Sequence, residues 1–161
     1  MALHATGFTV NAILCDSAAT AEGKLYLQGG GWSVLGTTSF PFQQPRMSLG
    51  VVVAVPYTAT NQNHTLRIYL EDEDGQRISL GPPTEKLDEQ VPACIEARFN
   101  VGRPPTIQPG DAQAIPMAVN LDQLRFDTPG AYSFVIEIDG AEVERLIFRV
   151  TLPVGMTLAA S

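Results

Sequence analysis

The side chains that could do chemistry in this chain are few and scattered. There are two histidines, His4 and His64, and two cysteines, Cys15 and Cys94. Nucleophilic catalysis needs a hydroxyl or thiol beside a base that a third group orients. Neither G-x-S-x-G nor H-E-x-x-H occurs, and two histidines sixty residues apart make a poor zinc site. A glycosidase would need one carboxylate pair set apart by position, and nothing distinguishes a pair among the 17 acids. The expectation is therefore no catalytic residue, no cofactor and no enzyme. A pocket in which His64 or Cys15 meets a carboxylate would be the mark of an unrecognised hydrolase.

The densest charge cluster is Glu71-Asp72-Glu73-Asp74-Gly75. Hard cations want several carboxylate oxygens, so Asp72 and Asp74 are the weak candidates for a calcium site. Convergence with Asp16, Asp127 or Asp139 would complete a C2-like set. No EF-hand is possible, because Gln76-Arg77-Ile78 returns straight to a strand pattern. The preferred reading is a solvated hairpin tip whose Asp and Gly residues make the turn.

Three other segments invite a functional reading. Gly29-Gly30-Gly31-Trp32 lacks the Gly-Lys-Ser/Thr of a phosphate loop. It reads as a bulge or a close backbone approach, with Trp32 either a core anchor, the favoured reading, or an exposed binding aromatic. Gly102-Arg103-Pro104-Pro105, continuing to Pro109-Gly110, is a long stiff loop. It is either a projecting recognition element, which loses little entropy on docking, or a crossover between sheets. The tail from Pro153 to Ser161 is apolar and carries no charged side chain, which suits packing on a partner. Arg103, Pro104, Pro105, Met156 and Leu158 are the partner-binding candidates.

The elements that must position these residues are strands. Apolar residues alternate at Val91, Ala93, Ile95, Ala97, Phe99 and Val101; at Leu66, Ile68 and Leu70; and at Ile115, Met117, Val119 and Leu121. They alternate again at Tyr132, Phe134, Ile136 and Ile138, and at Leu146, Phe148, Val150 and Leu152. Period two puts each set on one face of a pleated strand. Phe8–Cys15, Leu25–Leu27 and Met47–Val55 add strands by β-branched and aromatic content. Asp139-Gly140 is the strongest hairpin signal, with Asp74-Gly75 a second between His64–Glu71 and Arg77–Leu80. Asp16–Glu22 and Leu121–Phe126 could each form a single helical turn. The expectation is all-β: a two-sheet antiparallel β-sandwich of immunoglobulin-like, C2-like or jelly-roll topology with about eight or nine strands. Met47–Val55 favours the sandwich because it is apolar at consecutive positions, as when both faces are covered. One domain spans 1–161, with extended termini at about 1–7 and 153–161.

Composition excludes several classes. At 161 residues the chain needs neither metal nor disulfide to fold. Its net charge is −7, with Lys24 and Lys86 the only lysines and the arginines dispersed. A phosphate backbone would demand clustered cations, so no nucleic-acid partner is expected. No signal peptide or membrane span is visible, which points to a cytoplasmic or virion-associated protein with no membrane partner. Cys15 and Cys94 then read as reduced thiols rather than a bridge.

Asp127-Thr128-Pro129-Gly130-Ala131-Tyr132, followed by the alternating strand and Asp139-Gly140, resembles the closing hairpin of immunoglobulin-like, fibronectin-like and C2-like sandwiches. That resemblance implies a tyrosine hydroxyl tied back to an upstream backbone group. A second resemblance rests on Ala12-Ile13-Leu14-Cys15-Asp16-Ser17-Ala18, Gly23-Lys24-Leu25-Tyr26, Gly29-Gly30-Gly31-Trp32, Asp72-Glu73-Asp74-Gly75 and Gly102-Arg103-Pro104. These are similar to an uncharacterised family of short proteins from actinobacteria and actinophages, which implies no activity, cofactor or site residue. The function expected is a non-enzymatic structural or interaction protein, binding protein partners or assembling with itself, as would an accessory or decoration subunit of a phage-type assembly. The alternative is a calcium-dependent C2-like module for a small molecule or membrane surface.

Overall fold

Alternation becomes strand at almost every expected place. The computed structural model describes residues 7–81, 94–153 and 155. In chain order the strands are β1 (Thr9–Cys15), β2 (Ser17–Ala21), β3 (Lys24–Gln28), β4 (Val34–Gly36), β5 (Phe42–Val55), β6 (Asn63–Glu71), β7 (Arg77–Ile78), β8 (Ile95–Asn100), β9 (Gln113–Phe126), β10 (Gly130–Ile138) and β11 (Ala141–Thr151). One 3₁₀ turn, Tyr57–Ala59, interrupts them. The described residues contain no α-helix.

Eleven strands stand where about eight or nine were expected, and the surplus consists of short ones that show no alternation. Asp16–Glu22 is not a helical turn. Ala18, Ala19 and Thr20 pair with Leu27, Tyr26 and Leu25 across a tight turn at Glu22-Gly23, and that pairing overrides weak local preference. Leu121–Phe126 likewise continues β9, because its residues pair with β5 from Met47 back to Phe42. The expected strand at Arg77–Leu80 shortens to Arg77–Ile78. Residues 91–93 of the expected Val91–Val101 strand lie outside the described residues.

Three strands, ordered β1-β5-β9, form one antiparallel sheet; β4-β11-β10-β6 form another, with β7 and β8 both paired to β6. β2 and β3 make a separate hairpin. β10 and β11 meet through Asp139-Gly140, with Ile138 opposite Ala141. Both turn residues have positive φ, 52° and 82°, as a type I′ turn requires.

One cluster of apolar side chains joins the two larger sheets. Met47, Leu49, Val51, Val53 and Val55 of β5 share it with Leu66, Ile68 and Leu70 of β6, Phe134, Ile136 and Ile138 of β10, and Phe148 and Val150 of β11. Its aromatic end is built from Phe126, Tyr132, Phe134 and Phe148, with ring centroids 4.9–5.9 Å apart. Such offset and edge-on contacts add to simple burial.

Of Met47–Val55, only Met47–Val51 are buried at consecutive positions, with Val52 and Ala54 half-buried, and that burial has a local cause. The alternate side chains face the core, while Gly50 lies on the other face beneath the β2–β3 hairpin. A Cβ on Gly50 would stand 2.4 Å from Leu27 Cδ2 and 3.2 Å from Leu25 Cδ2. Asn120 fastens the same hairpin: its Nδ2 donates to the Ala18 carbonyl at 2.9 Å and its Oδ1 accepts from the Ala18 N–H at 3.1 Å. Ser48 also donates to Asn120 Oδ1, at 2.6 Å.

Candidate functional site

Among the described residues, His64 is a buried chemistry-bearing side chain that the fold brings against a carboxylate. It is the second residue of β6 and is 6 % exposed. Nδ1 lies 2.7 Å from Asp139 Oδ2, and Nε2 lies 2.7 Å from the Ala59 carbonyl oxygen. The ring is packed edge-on against Phe8 at 4.9 Å and beside Phe99 at 5.3 Å. Asp139 is held there because its turn docks on β6: Oδ1 accepts the Thr65 N–H at 2.9 Å, and its own N–H donates to the Thr65 carbonyl at 2.9 Å.

A carbonyl can only accept, so Nε2 must carry a proton; a carboxylate also only accepts, so Nδ1 must carry one too. Both contacts are satisfied together when the ring is an imidazolium. Burial alone would lower its pKa, but the Asp139 and Ala59 hydrogen bonds and the Asp139 charge outweigh that and raise it. For Asp139, burial pushes the opposite way, and the His64 and Thr65 hydrogen bonds hold its pKa below the usual carboxylate value. With both nitrogens committed, this histidine has no lone pair to serve as a general base. Sequence reasoning raised a meeting of His64 with a carboxylate; the structure supplies the meeting as a buried staple. Cys15 is buried, and burial pushes its thiol pKa up, against the thiolate a nucleophile needs. Cys15 and Cys94 are both free thiols.

The acidic hairpin is a self-contained turn. Asp72 Oδ1 accepts the N–H groups of Asp74 at 2.9 Å and Gln76 at 2.8 Å, and the Gly75 N–H donates to the Asp72 carbonyl. This is the side-chain-to-backbone pattern that makes Asp a turn former. Among the described residues no group of three or more His, Cys, Asp or Glu gathers as metal ligands do. Asp72 and Asp74 are neighbours on one turn.

Beside that turn lies a cleft of about 380 Å³ between the β6–β7 hairpin and the β9–β10 connection. Asp72, Arg77, Arg125, Asp127, Thr128 and Tyr132 line much of it. Its ionic groups are already engaged. Arg125 pairs with Asp127 at 2.7 Å, and the Arg77 guanidinium sits 4.1 Å above the Tyr69 ring. At its floor Tyr132, 3 % exposed, donates its hydroxyl to the Thr128 carbonyl at 2.6 Å. That is the tie-back which the resemblance to sandwich hairpins implied.

Arg103 is exposed and bonded to its own chain. Its Nε donates to Thr60 Oγ1, a second nitrogen donates to the Tyr57 carbonyl at 3.2 Å, and its guanidinium lies 4.2 Å over the Tyr57 ring. Gln113 closes the loop by donating to the Gly102 carbonyl. Pro104 and Pro105 are left exposed on a loop clamped at both ends. Met156 and Leu158 lie outside the described residues. Two of the three glycines are close approaches: a Cβ on Gly29 would clash with the Asp16 carboxylate, and one on Gly30 would stand 3.6 Å from Cys15 Cβ. Trp32 is only half-buried against the core. Its indole Nε1 is the one buried side-chain polar atom without a partner among the described residues.

The profile of a family of unknown function (DUF6941) matches residues 11–151. The chain belongs to that family. The matched region includes His64, Asp139, Tyr57, Arg103 and Tyr132, so every contact above except that of Phe8 falls within the DUF6941 region. No curated protein matches the chain. Among solved structures it is similar to a Pseudomonas fluorescens alkylpurine DNA glycosylase, AlkC, bound to DNA containing an abasic site analogue. That match has a TM-score of 0.42 and 11 % identity over 89 % of this chain, which spans 30 % of the glycosylase chain. It is also similar to a structural genomics target, SoR45, at a TM-score of 0.32 and 15 % identity over 99 % and 97 % of the two chains. A family 123 glycoside hydrolase from Clostridium perfringens gives a TM-score of 0.28 and 14 % identity, over 89 % of this chain and 27 % of the hydrolase. Likenesses at these scores carry no argument about activity. No helix among the described residues is long and apolar enough to cross a membrane.

Signals for the missed parts were weak. Tyr57 and Thr60, which clamp Arg103, flank a 3₁₀ turn with no periodicity to reveal it. Asp139 was visible as a turn residue, but its contact with His64 spans 75 positions.

Proposed function

We propose that this DUF6941 chain is a non-enzymatic interaction protein that binds a protein partner, a second copy of itself included. The contact runs along the free edge of β9 and the Pro104-Pro105 loop that leads into it. One observation carries the reading: among the described residues β9, 14 residues long, pairs with β5 alone. The outward row of peptide groups on such a strand is a template for an added strand. Pro116 lies within β9, and proline, which has no N–H to donate, is tolerated in a sheet at an edge. Ile115, Met117 and Val119 stay only partly buried, which leaves apolar area at that margin for a partner to cover.

The reading takes the β1-β5-β9 sheet and the β4-β11-β10-β6 sheet as the two layers of a sandwich, supported by their common core cluster. It includes the accessory or assembly subunit expected from sequence and a cytoplasmic or particle-associated setting. The commitment of His64, Arg103 and Asp72 to internal contacts supports a non-catalytic role.

The test pairs sedimentation across a wide concentration range with pull-down from host lysate. The wild type is compared with Ala114→Lys, which puts a charge at an exposed edge position, and with a Pro104→Ala/Pro105→Ala double variant. Self-association or a captured protein that both variants weaken, at unchanged Tm, supports the proposal. A strict monomer that captures nothing overturns it, as does binding that neither variant alters.

A further inference from the structure

The His64 staple reaches beyond its own ring. Ala59, which receives Nε2, closes the 3₁₀ turn Tyr57–Ala59, and Tyr57 and Thr60 at that turn hold Arg103 by two hydrogen bonds and a ring contact. The Thr60 hydroxyl itself donates to the Tyr57 carbonyl at 2.6 Å, making the turn and its clamp one unit. Asp139, Ala59, the 3₁₀ turn and the Arg103 loop therefore form a single chain of contacts with the imidazole at its centre.

We infer that His64 is a proton-controlled latch: while it is an imidazolium it holds the 3₁₀ turn and with it the 101–112 loop, and when it is neutral it lets them go. The argument is a count of protons. An imidazolium donates from both nitrogens, whereas a neutral imidazole has one N–H and one lone pair. The charge-assisted bond to Asp139 is the stronger of the two, so the remaining proton stays on Nδ1. The bare Nε2 then faces the Ala59 carbonyl oxygen at 2.7 Å, lone pair against lone pair. The ring cannot retreat, because Phe8 and Phe99 pack on it, so the 3₁₀ turn must move instead.

The groups around the ring are few. Asp139 from the β10–β11 turn is the charged partner. The 3₁₀ turn presents the Ala59 carbonyl, with Tyr57 and the Arg103 cation beyond it. β8 presents the Phe99 ring, with Asn100 bonded to Asn63, and the start of β1 presents Phe8. Release would alter the posture of Pro104 and Pro105. The consequence for partner binding thus rests on the proposed function, but the latch itself is measured on the isolated chain, so the two can fail separately.

The experiment is a pH titration of the full chain from mildly acid to mildly alkaline conditions. It follows the His64 ring nitrogens and the backbone amides of residues 57–60 and 101–112 by heteronuclear NMR. The expected result is one shared midpoint, above the ordinary histidine value of about 6.5, for the ring and both amide groups. Asp139→Asn keeps a turn-compatible residue at positive φ and should move all these midpoints downward together. Arg103→Ala should leave the ring midpoint in place while the 101–112 amides stop following it. Loop amides that ignore the ring midpoint in the wild type would overturn the latch. So would a ring that stays neutral throughout, or loop amides that still follow the ring in Arg103→Ala.

Discussion

At the scale of single residues, this protein spends its reactive groups on holding itself together. His64, Arg103, Asp72 and Asp139 read in sequence as candidates for chemistry or recognition and Tyr132 as a tie within the fold, and each is bonded to a backbone group of its own chain. Tyr132 gives the simplest measurement. Tyr132 is buried and its hydroxyl donates to the carbonyl of the exposed Thr128, so Tyr132→Phe removes that hydrogen bond. The expected loss is about 1 kcal/mol, read from the urea midpoint at constant m. An unchanged midpoint would mean that water satisfies that carbonyl equally well. Tyr132 was legible in sequence because a Pro-Gly turn feeds it into an alternating strand. Arg103 was not, since nothing in Gly102-Arg103-Pro104 signals a tyrosine ring 46 positions earlier.

At the scale of elements, the β2–β3 hairpin depends on a missing side chain. Gly50 lets Leu25 and Leu27 lie directly on β5, and Asn120 grips the hairpin backbone from β9. Gly50→Ala should therefore destabilise by pushing against Leu27, with the sign and scale of overpacking, about 1 kcal/mol. Leu27→Ala removes both the packing and the obstacle. The double variant should then be more stable than the sum of the two single losses implies, a coupling of about 0.5 kcal/mol or more. Strict additivity in that cycle would show that the leucine side chain swings aside freely. A glycine in a strand was readable as a sign of close approach; which element approaches was not, because β3 lies more than 20 positions away and reaches β5 by packing rather than by pairing.

At the scale of the whole molecule, stability should respond to pH on both sides of a plateau. Asp122, bonded by Arg46, and Glu96, bonded by Arg67, have lowered pKa values, as does Asp139, where the bonds from His64 and Thr65 overcome burial. What they contribute is present above their unfolded values of about 4 and lost as pH falls through the lower folded ones. His64 is raised, the Asp139 and Ala59 contacts outweighing burial. Its contribution is complete below about 6.5 and lost as pH rises through the higher folded value. Urea midpoints should thus be greatest from about pH 4.5 to 6.5 and decline toward both acid and mildly alkaline conditions. The alkaline decline should vanish in His64→Phe. A decline of equal size in that variant would assign it to another group.

The sequence by itself determined the all-β character and the longer strands, the β10–β11 hairpin with its tight turn, and the burial of Tyr132. These follow from period-two patterning and turn chemistry, which act over a few residues. Only the tertiary structure decided that His64 meets Asp139, that Arg103 folds back onto Tyr57, and that the β2–β3 hairpin covers Gly50. Those contacts join positions 23 to 75 residues apart. They arise from how strands pair and pack and how loops cross, a property of the folded chain that no local run of residues contains.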